Sequence, residues 1–262
     1  MLSEIKKHLP GHPWREKIQY FDCLDSTNTY AKGLAAEGAP EGTVIIADHQ
    51  TGGRGRLGRS FSSPAGMGIY LSVILRLDCP PEELMHLTCA AGVAACLAVE
   101  RATDSRPHIK WTNDLVLGKR KLGGILTELS VDPATGKVAW VVVGIGINCC
   151  QQAADFPEEI RDMACSLDME WQDIPRLIAD LVTALQQMRG RLLTHKAEMM
   201  AQFRQRCVTI GSEISVLRGD EVRHGTALSV DENGGLLVAF SDGSRGTVTS
   251  GEVSIRGMYG YL

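Results

Sequence analysis

Gly42–Gly66 reads GTVIIADHQTGGRGRLGRSFSSPAG and runs straight into MGIYLSVILRL, Met67–Leu77. Two apolar runs of strand length, dense in Val, Ile and Leu, flank a glycine-rich loop that neither run can continue. The pattern predicts a buried sheet that delivers a loop to one of its ends. That loop carries Arg54, Arg56 and Arg59 and no acidic residue. Glycines 52, 53, 55 and 58 let backbone amides turn toward a ligand, and guanidinium forks suit a carboxylate or a phosphate. No Gly-Lys-Ser/Thr follows, so it is not a Walker loop, and the spacing is not the dinucleotide fingerprint. The loop alone leaves three readings open: an anion cradle, a solvated basic turn, or an arginine-glycine nucleic-acid tail.

Working outward, DSTNTYAKGLAAEG (Asp25–Gly38) predicts a helix capped by Asp25 or Ser26. Prolines and acids open Pro80–Thr103, and alanine-rich sequence continues it, predicting a long buried helix. Arg106–Asp132 reads as two or three strands broken at Asn113-Asp114 and Gly118-Lys119, and KVAWVVVGIGINCC (Lys137–Cys150) as another. Helical pattern returns from Pro175 to about Arg206. Beyond Cys207, short alternating segments are separated by turn signals at Gly219-Asp220, Glu232–Gly235 and Ser241–Gly243. The expected fold class is α+β: a mixed-sheet domain flanked by helices over residues 1–209, then a small β-barrel over 210–262.

Bulk properties narrow the function classes. With 27 basic and 31 acidic residues and a net charge of -4, there is no overall surplus to attract nucleic acid or an anionic membrane. The N-terminus lacks the apolar run of a secretory signal, and the apolar stretches around Cys89–Val99 and Val138–Ile147 are too short to span a bilayer. The eight cysteines include no C-x-x-C pair and none at zinc-ligand spacing to a histidine, which argues for small buried hydrophobes in a reducing, cytoplasmic compartment.

Two further segments carry chemistry. In KWTNDLVLGKRKLGGILTE (Lys110–Glu128), basic residues bracket an Asn-Asp turn, and Gly123-Gly124 allows close approach to a strand backbone. Asn113 offers the donor and acceptor that read an adenine edge, and Asp114 suits a magnesium ion or a cationic side chain. A plain hairpin with charged edges and a core Trp111 accounts for the same residues. In GIGINCC (Gly144–Cys150), two glycines beside Asn148 fit a flat ring laid on backbone, or simply a tightly packed strand with a polar end.

Taken together and in order, DSTN, GRGRLGR, KWTNDL, RKLGGILTE and GIGIN closely resemble the motif set of the biotin protein ligases, from about Phe21 to the C-terminus, where the β-segment resembles that family's SH3-like cap. The resemblance implies ATP-dependent activation of biotin as biotinoyl-5′-AMP, with Mg²⁺, and transfer to a lysine of a biotin carboxyl carrier protein. It implies Lys121 and Arg56 as catalytic residues. It implies Ser26, Thr27, Asn28, Gln50, Arg54, Gly55, Arg56, Lys121, Gly123 and Gly124 at biotin. At ATP or the adenylate it implies Arg54, Arg56, Arg59, Trp111, Asn113, Lys121 and Asn148, with Asp114 at metal.

Two departures stand out. Thr112 replaces the family's usual proline, which relaxes the backbone before Asn113. Only about twenty residues precede Phe21, too few for the winged helix of the regulatory members, so the expectation is a ligase without repressor function. Monomer and homodimer are both compatible. A lipoyl or octanoyl ligase would differ in the arginine loop. A non-catalytic biotin or nucleotide sensor would be expected to lack Lys121 or the loop arginines. The arginines have no interleaved aromatics, which argues against nucleic acid.

Overall fold

The computed structural model describes residues 1–218, 221–249 and 251–255. A helix, α1 (Leu2–Lys7), precedes strand β1 (Ile18–Leu24), helix α2 (Thr27–Ala36) and strands β2 (Val44–Gln50) and β3 (Gly68–Leu75). Helix α3 (Leu87–Ala102) is followed by β4 (His108–Lys110), β5 (Asp114–Leu117), β6 (Arg120–Val131) and β7 (Val138–Asn148), then by α4 (Ile174–Arg191) and α5 (Lys196–Arg206). The C-terminal strands are β8 (Glu213–Arg218), β9 (Glu221–Val230), β10 (Leu236–Phe240), β11 (Arg245–Val248) and β12 (Glu252–Ile255). The turn expected at Gly219-Asp220 lies outside the described residues.

Strands β1 to β7 form one sheet in the order β1-β2-β3-β7-β6-β5-β4, with β1 and β2 parallel and the other pairs antiparallel. The two-residue period of a strand explains how this sheet serves both a core and a cleft. On β7, Val141, Val143, Ile145 and Ile147 join the main core against α3 and α4, as do Ile69, Leu71, Val73 and Leu75 of β3. Each such side chain withdrawn from water contributes about 1.5–3 kcal/mol. The alternate residues face α2, whose Ala31 and Ala35 pack on Ile45, Ile74 and Val142. Further along that second face the apolar side chains stop. Tyr70 pairs with Gly146, and Ser72 with Gly144; on the other side of β7, Gly124 pairs with Gly146, and Leu126 with Gly144. The glycine rows leave a shallow floor.

Ser26 caps α2, its Oγ accepting from the Thr29 amide at 3.4 Å. The stretch Pro81–Ala102 has the length and composition to cross a membrane, longer than the apolar run read from the sequence, yet 72% of its apolar window is buried inside the protein. It is a core helix. All eight cysteines are free, and burial pushes the Cys89 and Cys96 thiols up to about 12. They act as small hydrophobes. The N-terminal segment, unassigned by sequence, buries Ile5, Leu9, Trp14 and Ile18 in the main core.

The C-terminal strands form a separate antiparallel sheet in the order β11-β10-β9-β8-β12. Trp111 ties it to the first sheet: the buried indole Nε1 donates to the Gly234 carbonyl at 2.8 Å, and the Trp111 amide donates to Thr209 Oγ1 at 2.8 Å. Trp111→Phe keeps most of the packing but strands a buried carbonyl, which costs about 1–3 kcal/mol. Urea unfolding should show a lower midpoint with an unchanged slope.

Candidate active site

The glycine-arginine segment folds as a small hairpin over the glycine floor. Arg54 bridges Ser60, the Gly55 amide donates to the Arg59 carbonyl at 2.7 Å, and the Phe61 amide donates to the Gly53 carbonyl at 2.9 Å. Leu57 and Gly58, both with positive φ, turn its tip. Arg56 reaches across the cleft, donating to Asn113 Oδ1 at 3.2 Å, while Asn113 Nδ2 donates to the Ile125 carbonyl at 3.1 Å. The hairpin is thereby latched to the Asn-Asp turn. The Trp111–Thr112 peptide that leads into this turn is cis.

Among the described residues the cleft is lined by Arg54, Arg56, Arg59, Lys110 and Lys121 against one carboxylate, Asp114. Lys121 Nζ sits 2.6 Å from Asp114 Oδ1. The backbone of Lys121 is held on both sides, its amide donating to the Met163 carbonyl at 2.7 Å and its carbonyl accepting from the Cys165 amide at 2.8 Å. Such a surplus of cations in a partly closed cleft fits an anionic ligand. Among the described residues no group of three His, Cys, Asp or Glu side chains could hold a metal ion.

At the other end, polar side chains converge. Gln50 Oε1 accepts from the Thr27 amide at 2.8 Å, and Gln50 Nε2 donates to Ser63 Oγ at 2.8 Å. Asn28 Nδ2 donates to Glu128 Oε2 at 2.9 Å and to the Leu126 carbonyl at 3.2 Å. Tyr70 donates to the Pro64 carbonyl at 3.0 Å, and burial raises its phenol far above its ordinary range, so it stays a donor.

Of the residues singled out by sequence, Ser26, Thr27, Asn28, Gln50, Arg54, Gly55, Arg56, Arg59, Trp111, Asn113, Asp114, Lys121 and Gly124 line this one cleft. Gly123 and Asn148 do not line it. A Cβ on Gly123 would lie 2.2 Å from the Gly146 carbonyl, so the neighbouring strand by itself requires glycine there. Asn148 has its amide committed, donating to the Cys165 carbonyl at 2.9 Å and accepting from Gln151 Nε2 at 3.4 Å. The glycines of GIGIN do receive flat groups, but the protein's own: a Cβ on Gly144 would lie 1.9 Å from Asn28 Oδ1, and one on Gly146 would lie 2.6 Å from the Phe61 ring. Sequence reading missed Phe61, Tyr70 and Lys110 in the lining, as well as Gly251 and Val253 from the C-terminal sheet. Ser72, a lone serine inside an apolar strand, lies outside the lining but donates toward Thr27 Oγ1 at 2.8 Å and Asn28 Oδ1 at 2.6 Å.

Comparison with known proteins fits this geometry. Residues 20–148 match the Biotin/lipoate A/B protein ligase family, and residues 209–256 match the Biotin protein ligase C terminal domain. The chain is 35% identical over 245 residues to the bifunctional ligase/repressor BirA of Bacillus subtilis, covering 92% of this chain and 75% of that protein. It is 33% identical over 252 residues to the biotin--[acetyl-CoA-carboxylase] ligase of Mycobacterium tuberculosis, covering 93% and 90%. The solved biotin protein ligase from Aquifex aeolicus in complex with biotin and ATP superposes with a TM-score of 0.73 at 30% identity, covering 91% of this chain and 98% of that one. On its motifs, its cleft and these relatives, the chain belongs to the biotin protein ligases of the biotin/lipoate A/B protein ligase family.

Proposed function

We propose that this cleft activates biotin with ATP and passes it to a lysine of a biotin carboxyl carrier protein. The observation that carries this reading is the division of one cleft into a polar, hydrogen-bonding end at Thr27 and Gln50 and a cationic end at Lys121 and the arginine hairpin. A neutral ureido ring needs the first, and two anions that must meet need the second. A biotin carboxylate oxygen forms a bond to the α-phosphorus of ATP, and the bond to the β-phosphate oxygen breaks, releasing pyrophosphate. The carrier lysine, as a neutral amine, then bonds to the acyl carbon. AMP leaves with the bonding electron pair, and the nitrogen gives up a proton.

In this assignment Ser26, Thr27, Asn28 and Gln50 serve the ring end directly or by positioning one another. Lys121, Arg54 and Arg56 serve the carboxylate and α-phosphate, with Gly55 allowing the hairpin backbone to approach. Arg59 and Asn113 lie on the nucleotide side, and Trp111 supports the wall beneath them. Gly124 keeps the floor low beside Lys121. Mg²⁺ would neutralise phosphate charge, shared by the phosphates and Asp114, since this ion needs only one or two carboxylates beside phosphate oxygens. The C-terminal sheet reads as an SH3-like barrel from about residue 210, following a catalytic unit that ends near 209. Its Gly251 and Val253 put it at the cleft margin. We place the protein in the cytoplasm, where biotin carriers and reduced thiols are found together.

Biotin-dependent ATP–pyrophosphate exchange by the purified protein tests the reading. Exchange driven by lipoate or octanoate in place of biotin would overturn it. A second measurement addresses the floor. Gly144→Ala must push the Asn28 amide aside, so biotin affinity measured by calorimetry should fall about tenfold or more, the cost of a displaced buried hydrogen-bonding group.

A further inference from the structure

A second cavity, with a volume of about 240 Å³, adjoins the cleft and has no part in the assignment above. It shares Arg56, Ile125 and Leu126 with the cleft. It opens where β6 outruns its neighbour: β5 pairs with β6 as far as Gly124, and Ile125, Leu126 and Thr127 continue into the cavity wall. Thr88 of α3 and Met85 ahead of that helix form a second side, and the Gly234 turn of the C-terminal sheet forms a third. That turn is pinned in place, since the Gly234 carbonyl accepts from the buried Trp111 indole at 2.8 Å. The cavity is therefore a fixed space between the two sheets, and the Arg56 side chain is a wall common to it and to the cationic end of the cleft.

The two spaces differ in charge. The cleft gathers Arg54, Arg59, Lys110 and Lys121 besides Arg56. Among the described residues the second cavity has Arg56 as its single charged side chain, and threonine hydroxyls and apolar groups make up most of the rest. Within it Thr88 Oγ1 and Thr127 Oγ1 lie 2.6 Å apart. A phosphate chain belongs on the first side, where the cations are. The second side suits a slender, neutral group that carries N–H donors.

The transfer half of the reaction needs such a group, a lysine amine that has lost its proton. In water a lysine holds that proton up to a pKa of about 10.4. Inside this cavity it gives up its hydration, meets the Arg56 guanidinium at the inner end, and finds no carboxylate among the described lining residues. Burial and a like charge both disfavour the ammonium form. The amine can pass where the ammonium is held back, and threonine oxygens can accept its N–H groups. One water occupies about 30 Å³, so the volume is ample for a lysine side chain.

We propose that this second cavity is the entry for the acceptor lysine of the carrier, with Arg56 as its inner gate and as the charge that keeps the arriving amine neutral. The inference rests on the biotin reading above and deepens it by giving the second substrate its own path. The lysine gives one proton to water at the mouth, where Met85, Asn233 and Thr249 are exposed. Inside, its nitrogen lone pair bonds to the acyl carbon, and the bond from that carbon to the phosphate oxygen breaks. AMP leaves with the electron pair, and the second proton of the nitrogen passes to water.

The test is a single-turnover transfer experiment on two filled variants. Thr127→Met extends a side chain into the cavity, and Asn233→Trp covers its mouth. Both should form biotinoyl-5′-AMP at close to the wild-type rate, with unchanged KM for ATP and biotin. Mixed with saturating carrier domain, both should transfer biotin at a maximal rate lowered about tenfold or more, the effect of holding a reacting group away from its partner. Hydroxylamine, a far smaller amine, should discharge the adenylate in both at close to the wild-type rate. Thr127→Ala, which widens the cavity, should transfer to the carrier like wild type. Wild-type transfer by both filled variants would send the lysine along another route, and a raised KM for ATP would give the cavity to the nucleotide. A raised KM for the carrier at an unchanged maximal rate would mark a docking contact in place of an entry, and an equal loss with hydroxylamine would mean that the adenylate itself is disturbed. Each of these four results overturns the inference and leaves the biotin reading standing; a wild-type protein that forms no adenylate from biotin overturns both. Should Thr127→Met fail to fold, Asn233→Trp in its exposed turn decides alone.

Discussion

Lys121→Ala should slow biotin-dependent pyrophosphate exchange by about a thousandfold, while the protein still folds. The expectation follows from charge. A carboxylate and a phosphate about 4 Å apart repel by about 4 kcal/mol at an effective dielectric constant of about 20. A lysine ammonium between them offsets a term of that size, and each ~1.4 kcal/mol of barrier is a factor of ten. The proposed mechanism makes Lys121 the principal source of that offset. Its ammonium stands 2.6 Å from Asp114 in the cleft, and its backbone is clamped to Met163 and Cys165. Removing the ammonium also leaves Asp114 without this cation, adding a negative field where two anions must meet. Lys121→Arg, which keeps the charge but not the point geometry, should retain more activity than the alanine variant. The lysine side chain is about a third exposed, so thermal unfolding should shift little. An alanine variant within tenfold of wild type would show that the hairpin arginines, and not Lys121, carry the charge term.

How much of this was legible beforehand depended on whether the information was local. The apolar run in Val138–Asn148 is local, and it correctly implies a strand; in the fold its odd residues are core and its glycines lie on the other face. What those glycines accommodate is not local: Asn28 and Phe61 reach them from segments about a hundred residues away in sequence. Those flat groups are the protein's own, beside glycines that also line the cleft. Asn148 is a related case. Its parity places it on the cleft face, one row beyond Gly146, but the segment around Cys165 returns to take its amide. Nothing near Asn148 in sequence announces that return. Strand β1 was missed because both of its faces are only partly buried, so IQYFDCL shows no clean alternation. The motifs placed the cationic end well, because basic side chains clustered with glycine are informative on their own.

Arg56→Gly should leave adenylate formation within about tenfold of wild type but release the intermediate about ten to a hundred times faster. Arg56 is the residue that latches the hairpin, donating to Asn113 Oδ1 across the cleft, and a hydrogen bond from a charged donor is worth about 1.5–3 kcal/mol. Glycine removes that bond. It also loosens the backbone at a position flanked by Gly55 and close to Gly58, so the closed hairpin loses conformational entropy it did not lose before. Lys121 and Arg54 remain to supply charge for the first step, which is why the two steps should separate. The measurement is single-turnover: pyrophosphate release reports activation, and filtration of the mixture reports free biotinoyl-5′-AMP. A bystander protein rich in exposed lysines should become biotinylated in proportion to the free adenylate, since the acyl phosphate reacts with amines unaided. If adenylate formation collapses instead, the charge Arg56 brings to the carboxylate and α-phosphate outweighs its role as a latch. If formation and retention are both unchanged, the contact with Asn113 does not hold the hairpin closed, and another element must confine the intermediate.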